Sequence, residues 1–349
     1  MKSGGRLPGL DGIRAISIAQ VIILHLTENM GRAFSGLGEF GVDSFFVVSG
    51  FLITWLLCQE EAEHGAFSLP AFYARRALRI LPPATVYLAV LCVLAVFDLV
   101  HLGPFDVFGS LLFLRNFRPG GCPQTVHYWT LAVEEQFYLM WPLLMLLLRS
   151  NRARLKACAI LMAAYVVWTP LSARLAGGVE YLNHGRFDQR CGPILVGCFL
   201  ALMRFDEKFL PLVRSRWLHF PGFPLLAAAG VILLPQLPHE GDKAGYVAVG
   251  LLINYVVDHP GGPLNWGPVV WLGKLSYSLY LWQQLFLFGW SRHWIGQFPQ
   301  NVVAGMVAAC ISYYLIELPF AEQRKKVRAI PNPGWLARFY PVPLHAPAE

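Results

Sequence analysis

Charge is what this 349-residue sequence has least of. Asp, Glu, Lys and Arg make up 14% of it, against 56% apolar residues and a mean hydropathy of +0.48. Soluble globular chains carry about a quarter charged residues, so this one lacks the polar side chains to coat a water-facing surface. Cysteine is sparse too. Cys58, Cys92, Cys122, Cys158, Cys191, Cys198 and Cys310 show no Cys-x-x-Cys and no Cys/His metal spacing, which excludes a disulfide framework and offers no zinc site. No internal repeat and no low-complexity tract occurs, which excludes solenoid, collagen-like and disordered classes. A net charge of +7 raises nucleic acid as a partner, but the basic residues are scattered between apolar blocks and form no single patch.

What the chain does have is long apolar blocks and many aromatics, including 11 Trp, 13 Tyr and 24 Phe, as membrane-interface belts require. In hydrocarbon each block must satisfy its own backbone, so it must be helical. Blocks at 13–27, 41–58, 79–98, 129–148, 157–173, 191–203, 220–235, 244–258, 271–289 and 301–318 predict about ten spans. The first is no signal peptide: Asp11 and Arg14 abut it, Gln20 and His25 interrupt it, and no small-residue cleavage site follows. A further piece, 105–117, is too short to cross and reads as re-entrant or interfacial. With that assignment and a cytoplasmic N-terminus, cytoplasmic segments carry about twice as many Lys and Arg as the opposite side. If 105–117 crossed, the basic cluster at 149–156 would move outside and the bias would vanish. The expected architecture is therefore all-α and multi-pass, in a plasma (inner) membrane, with both termini cytoplasmic.

Several polar residues inside or beside these spans are candidates for chemistry, because such groups are costly in a bilayer. Arg14 and His25 are eleven residues apart, so they share a helix face about 16 Å apart. A neutral imidazole can take a proton from a hydroxyl near neutral pH. Asp43 opens the second span, and Ser49-Gly50 within it offers a small surface for close helix approach. Arg75 and Arg79 lie one turn apart with Arg76 beside them, and guanidinium forks suit phosphate. Glu134 enters the fourth span from outside at the depth inferred for His25, where a carboxylate could orient an imidazole. Arg186 and Asp188 precede the sixth span, Tyr277 and Tyr280 lie in the ninth, and Glu317 lies near the inner end of the tenth. Each has a plainer reading as an anchor or a packing residue. Together they make a mainly basic inner set (Arg14, Arg75, Arg76, Arg79, Glu317) and an outer acid/base set (His25, Asp43, Glu134, Arg186, Asp188). That pattern favours group transfer across a membrane, from a phosphorylated cytoplasmic donor to a polar acceptor.

The same motifs resemble those of the membrane-bound acyltransferase-3 family. They are Arg14-x10-His25, the Phe-Phe-Val-x-Ser-Gly-Phe-Leu-Ile run at 45–53, Arg75-Arg76-x-x-Arg79, Trp129-Thr130-Leu-x-x-Glu134-x-x-Phe-Tyr138, and Leu272-Gly-Lys-Leu-Ser-Tyr-Ser-Leu-Tyr-Leu-Trp282. The likeness runs from Leu10 to Phe320, with Thr130 where the family has Ser and Gln283 where many members have His. Members O-acylate surface polysaccharides, peptidoglycan, Nod factors and some macrolides. Many carry an appended esterase-like domain, and this sequence resembles the stand-alone members. The resemblance implies a membrane-embedded acyltransferase domain over 1–320 and a basic, Pro-containing cytoplasmic tail over 321–349. It implies acyl-CoA, chiefly acetyl-CoA, as donor substrate, no permanently bound cofactor or metal, and a carbohydrate, lipid-linked sugar or macrolide-like acceptor. Arg75, Arg76 and Arg79 would hold the donor phosphates, and Arg14 would place the acyl-bearing arm. His25 would be the base, oriented by Glu134 or Asp43. Tyr277, Tyr280 and Trp129 are candidate oxyanion donors, and a covalent acyl-histidine is the alternative course.

A different class remains alongside: a small-molecule exporter or permease whose polar residues line an alternating-access path. Such folds show repeat symmetry between their halves, which this sequence lacks. One further expectation concerns Cys122 and Cys191, the two cysteines placed on the oxidising side. Two unpaired thiols are the plainer expectation; a bridge between them would be the device that fixes the loop of 105–128, which carries Pro119, Gly120, Gly121 and Pro123.

Overall fold

The computed structural model describes residues 7, 9–27, 35–118, 120–175, 185–218, 220, 241–288, 293–327 and 332. Among the described residues every regular element is a helix. In chain order these are α1 Leu10–Thr27, α2 Ser35–His64, α3 Leu69–Val96, α4 Pro104–Leu111, α5 Pro123–Val126, α6 Tyr128–Leu147, α7 Asn151–Leu175, α8 Phe187–Arg204, α9 Leu210–Val213, α10 Gly241–Asp258, α11 Gly267–Leu287, α12 Gln300–Ser312 and α13 Leu318–Lys325. A π-helical turn, Tyr313–Glu317, joins the last two. Every apolar block expected to span coincides with one of these helices, except 220–235, which beyond residue 220 lies outside the described residues. Among the described residues, four stretches are by length and composition long and apolar enough to cross a membrane: Glu39–His64, Leu69–Val96, Asn151–Leu175 and Gln300–Lys325.

The segment 105–117 forms only the eight-residue α4 and a 3-10 turn at Arg115–Phe117. Eight residues rise about 12 Å, well short of a bilayer's hydrocarbon core.

The chain divides into two compact units. One comprises Met1–Ile53, Asn151–Gly178 and Asp188–Tyr277, the other Thr54–Ser150, Val179–Phe187 and Ser278–Glu349.

In the first unit, α2 and α8 touch backbone to backbone through glycine. A Cβ on Gly50 would sit 2.0 Å from the Ile194 carbonyl oxygen, and one on Gly197 would sit 2.0 Å from that of Val47. The Cys198 thiol also reaches the Gly50 carbonyl at 3.4 Å. This is the close approach that small residues allow between helices in lipid. Contacts rise together in number along both helices, from Asp43 with Arg190 to Gly50 with Ile194, so α2 and α8 run parallel.

Helix α7 returns against α8. Asn151 reaches the Leu202 carbonyl, the Cys158 thiol that of Leu195, and the Tyr165 hydroxyl that of Gln189. The start of α1 is seated just as tightly. Gly9, at φ +76°, donates its N–H to Asn265 Oδ1 at 2.9 Å. A Cβ on Gly12 would meet the Leu264 carbonyl oxygen at 2.4 Å, and one on Gly273 would meet that of Asp11 at 1.9 Å. The glycines of the Asp11-Gly12-Ile13-Arg14 and Leu272-Gly273-Lys274 motifs thus bring α1 onto α11 and the turn before it, which fixes the base of the helix that carries Arg14.

Gly197→Leu is expected to lower the melting temperature in detergent by several degrees, since overpacking costs about 1–3 kcal/mol or more when backbone must move. Gly261→Leu, where a Cβ meets nothing within 4 Å, should leave it nearly unchanged. Equal melting temperatures for both variants would remove the glycine crossing as the reason α2 and α8 approach.

In the second unit α3 and α6 run antiparallel. Tyr73 Oη donates to the Leu139 carbonyl at 3.0 Å, and Tyr128 Oη to that of Ala84 at 2.7 Å. Ser68 caps α3 by accepting the Ala71 N–H at 3.2 Å, and α13 packs along α3. Asn332, in the stretch expected to be tail, accepts the Leu69 N–H at 2.9 Å and donates to the Phe67 carbonyl at 3.2 Å. It satisfies backbone groups that the first turn of a helix leaves open.

Candidate functional site

Arg14 and His25 both lie on α1, half-buried, with ten residues of regular helix between them. In the same unit Asp43 is almost fully buried. Its Oδ1 lies 3.5 Å from Arg190 Nη1, while Arg190 Nη2 reaches Glu39 Oε2 at 3.4 Å. Arg190 was not among the residues singled out from the sequence. A usable signal was present: Asp43 precedes Gly50 by seven residues, and Arg190 precedes Gly197 by seven. Two turns from a shared glycine crossing, the charges of parallel helices face each other. Asp188 accepts the Trp168 indole N–H at 2.6 Å. Tyr277 is half-buried on α11.

The second unit holds the arginine triplet. Its members do not form one open clamp. Arg75 Nη2 donates to Glu60 Oε2 at 2.6 Å, and Glu60 Oε1 accepts the Ser68 N–H at 3.0 Å. Arg76 turns toward α6, with its guanidinium carbon 3.9 Å from the centre of the Tyr138 ring. Arg79 is half-buried on the same helix. Glu60, unlike Arg190, becomes visible only once helices are packed.

Glu134 is half-buried on α6. Trp129, one turn nearer the start of that helix, has Gly185 beside it: a Cβ there would lie 3.6 Å from Trp129 Cβ. The fold thereby brings the residue adjoining Arg186 to Trp129, joining two candidates far apart in sequence. The Tyr280 hydroxyl lies 2.8 Å from Thr130 Oγ1 and donates to the His127 carbonyl at 3.3 Å, so it ties α11 to α6. His127 itself is buried, with the rings of Tyr87, Tyr128 and Tyr280 at centroid distances of 5.4, 5.0 and 5.5 Å. Glu317 sits at the end of the π-helical turn and accepts from the Ser278 hydroxyl, which lies 3.1 Å from Ser312 Oγ.

Cys122 and Cys191 are both free thiols, the plainer of the two outcomes, and no bridge joins them. A different device fixes the loop. Asp106 accepts the N–H groups of Gly103 and Cys122 at 2.9 and 3.1 Å, and its Oδ1 lies 3.2 Å from Arg115 Nη2. Arg115 in turn donates to the carbonyls of Arg118, at 2.5 Å, and Gly120. Gly121 takes φ +83° beside Asp106, where a Cβ would fall 2.4 Å from Oδ1. With the backbone held by a buried ion pair, no covalent staple is needed. Cys122 donates to Gln124 Oε1 at 3.0 Å, and burial pushes its thiol pKa up.

A family profile described as an acyltransferase domain, acyltransferase-3, matches residues 7–318. The chain is 31% identical to a Bacillus subtilis protein provisionally named peptidoglycan O-acetyltransferase YrhL, over 91% of this chain and 55% of that one. It is 30% identical to the O-acetyltransferase OatA of Staphylococcus aureus, over 94% of this chain and 59% of that one. The chain thus spans under two thirds of the length of these relatives. No solved structure matches it significantly.

Proposed function

The chain belongs to the acyltransferase-3 family, and from that premise we propose that it is an integral-membrane O-acetyltransferase. The donor is acetyl-CoA, bound from the cytoplasm. The acceptor is a carbohydrate hydroxyl on the opposite side of a bacterial-type plasma membrane, and the peptidoglycan named for its relatives is the first to try. The observation that carries this reading is the placement of Arg14 and His25 on one regular helix inside the matched region, about 16 Å apart. An extended pantetheine arm has a comparable length.

In this mechanism the His25 imidazole takes the proton of the acceptor hydroxyl as its oxygen attacks the thioester carbonyl. The tetrahedral intermediate collapses, the carbon–sulfur bond breaks, and the departing thiolate takes the proton from the imidazolium. The ester is formed and free coenzyme A leaves. Asp43, in the same compact unit as His25, orients the imidazole. Trp129 and Tyr277 serve as candidate donors to the oxyanion. Tyr280 is the weaker third, because its hydroxyl already bonds Thr130. Arg75 and Arg79 hold the donor phosphates, with Glu60 setting the fork of Arg75. Arg186 and Asp188 line the acceptor side, and Glu317 the donor side.

The test uses the purified protein in lipid nanodiscs with acetyl-CoA radiolabelled in the acetyl group and soluble peptidoglycan fragments. Label is expected in a base-labile ester on the glycan. Without acceptor, slow release of free coenzyme A is expected. Neither product, from a protein that transports a polar solute in the same membrane, would return the chain to the permease class.

A further inference from the structure

Between α3 and α6, within the second unit, two buried polar atoms of opposite kind have no hydrogen-bond partner among the described residues. One is the donor Nε of Arg76. The other is the acceptor Oε1 of Glu135. Glu135 and Tyr138 are three residues apart on α6 and so share a face. Arg76 stacks on the Tyr138 ring at 3.9 Å, and the charges of Arg76 and Glu135 are within electrostatic reach of each other. Glu135 is the eighth residue of the twenty in α6, roughly 10 Å from its start, so the pair sits inside the helix layer.

Unpaired buried polar atoms are costly, and a donor and an acceptor left so on two helices that pack together are candidates for one shared occupant. The occupant's chemistry is constrained from both sides. A phosphate could satisfy Arg76 but offers Glu135 no donor, and two adjacent carboxylates, Glu134 and Glu135, would repel it. A cation would be repelled by Arg76. A neutral group that accepts on one side and donates on the other satisfies both atoms together, and a secondary amide does this with its C=O and N–H directed oppositely.

We infer that Arg76 and Glu135 form a site for an amide of the donor's pantetheine arm, Arg76 donating to its carbonyl oxygen and Glu135 accepting its N–H. The assignment rests on acetyl-CoA being the donor. It divides the arginine triplet by role. Arg75 and Arg79 remain with the phosphates, while Arg76 reads the neutral arm that leads from the phosphates to the thioester. The Tyr138 ring beside it gives the arm's methylene groups an apolar wall.

The test is equilibrium binding to the full-length protein in nanodiscs with two probes: acetyl-CoA, and the nucleotide half of coenzyme A, which keeps the phosphates and lacks the arm. Arg76→Met and Glu135→Leu should each weaken acetyl-CoA by at least about tenfold, the scale of a hydrogen bond to a charged group. Binding of the nucleotide half should be unchanged. The double variant removes both buried charges and so is spared an uncompensated one. It should fold and show the same selective loss. Equal loss for both probes would place Arg76 with the phosphates and overturn the inference. So would a folded double variant that binds acetyl-CoA as the wild type does, which would leave the site to a water molecule. If the wild-type protein binds neither probe, the donor reading fails, and the amide site falls with it.

Discussion

His25→Ala is expected to lower acetyl transfer by about two to four orders of magnitude, the usual contribution of a positioned general base. Expression, membrane insertion and acetyl-CoA affinity should stay close to wild type. The reason lies in α1. Its base is fixed through Gly9, Gly12 and Gly273, while His25 lies in its last turn, so truncating the imidazole removes a proton acceptor without disturbing the seat of the helix. The measurement is label transferred to glycan at saturating donor, alongside binding of acetyl-CoA. Transfer at a near wild-type rate would remove His25 as the base. Lost binding together with lost transfer would make it a donor contact instead. A covalent acyl-histidine course predicts a further result: wild-type protein, but not the variant, would retain label after denaturation when no acceptor is supplied.

Arg115→Met should produce the largest loss of stability of any single change considered, on the order of 3–5 kcal/mol, as expected when one partner of a buried ion pair is removed. Arg115 and Asp106 are only 2% and 9% exposed. Without the guanidinium, Asp106 keeps its bonds to the Gly103 and Cys122 N–H groups but carries an uncompensated charge, and the carbonyls of Arg118 and Gly120 lose their donor. Thermal unfolding in detergent and limited proteolysis of the 118–122 loop report this together. Asp106→Asn with Arg115→Met should be less damaging than the sum of the single changes, because it removes both charges at once. Strict additivity would deny that the pair is coupled. Wild-type resistance of the loop in Arg115→Met would mean that it is held by other contacts.

The helices were legible because hydrocarbon leaves a chain little choice: an apolar block of sufficient length must be helical. The shortness of 105–117 was legible for the same reason, and the segment forms only the eight-residue α4 and a 3-10 turn. Charge partners were not legible. The sequence presents Arg75, Arg76 and Arg79 as one basic cluster, because spacing along a helix tells only which residues share its face. Packing then sends Arg75 to Glu60 and Arg76 to Tyr138. What fastens the loop was hidden in a related way. The two cysteines are unpaired, as the plainer reading held, but Asp106 and Arg115, nine residues apart in the expected re-entrant piece, show no periodic signal that they would do the fixing.

By itself, the sequence determined the all-α class, the membrane as solvent, the places where helices run and the family to which the chain belongs. Composition and periodicity act locally and sum along the chain, so they survive without a structure. Tertiary structure alone decided which charges are neutralised, which hydroxyls are spent on packing, and which donor and acceptor are left buried without a partner. Those outcomes depend on distances of a few ångströms between residues far apart in the chain, set by where glycines such as Gly50 and Gly197 let two backbones touch.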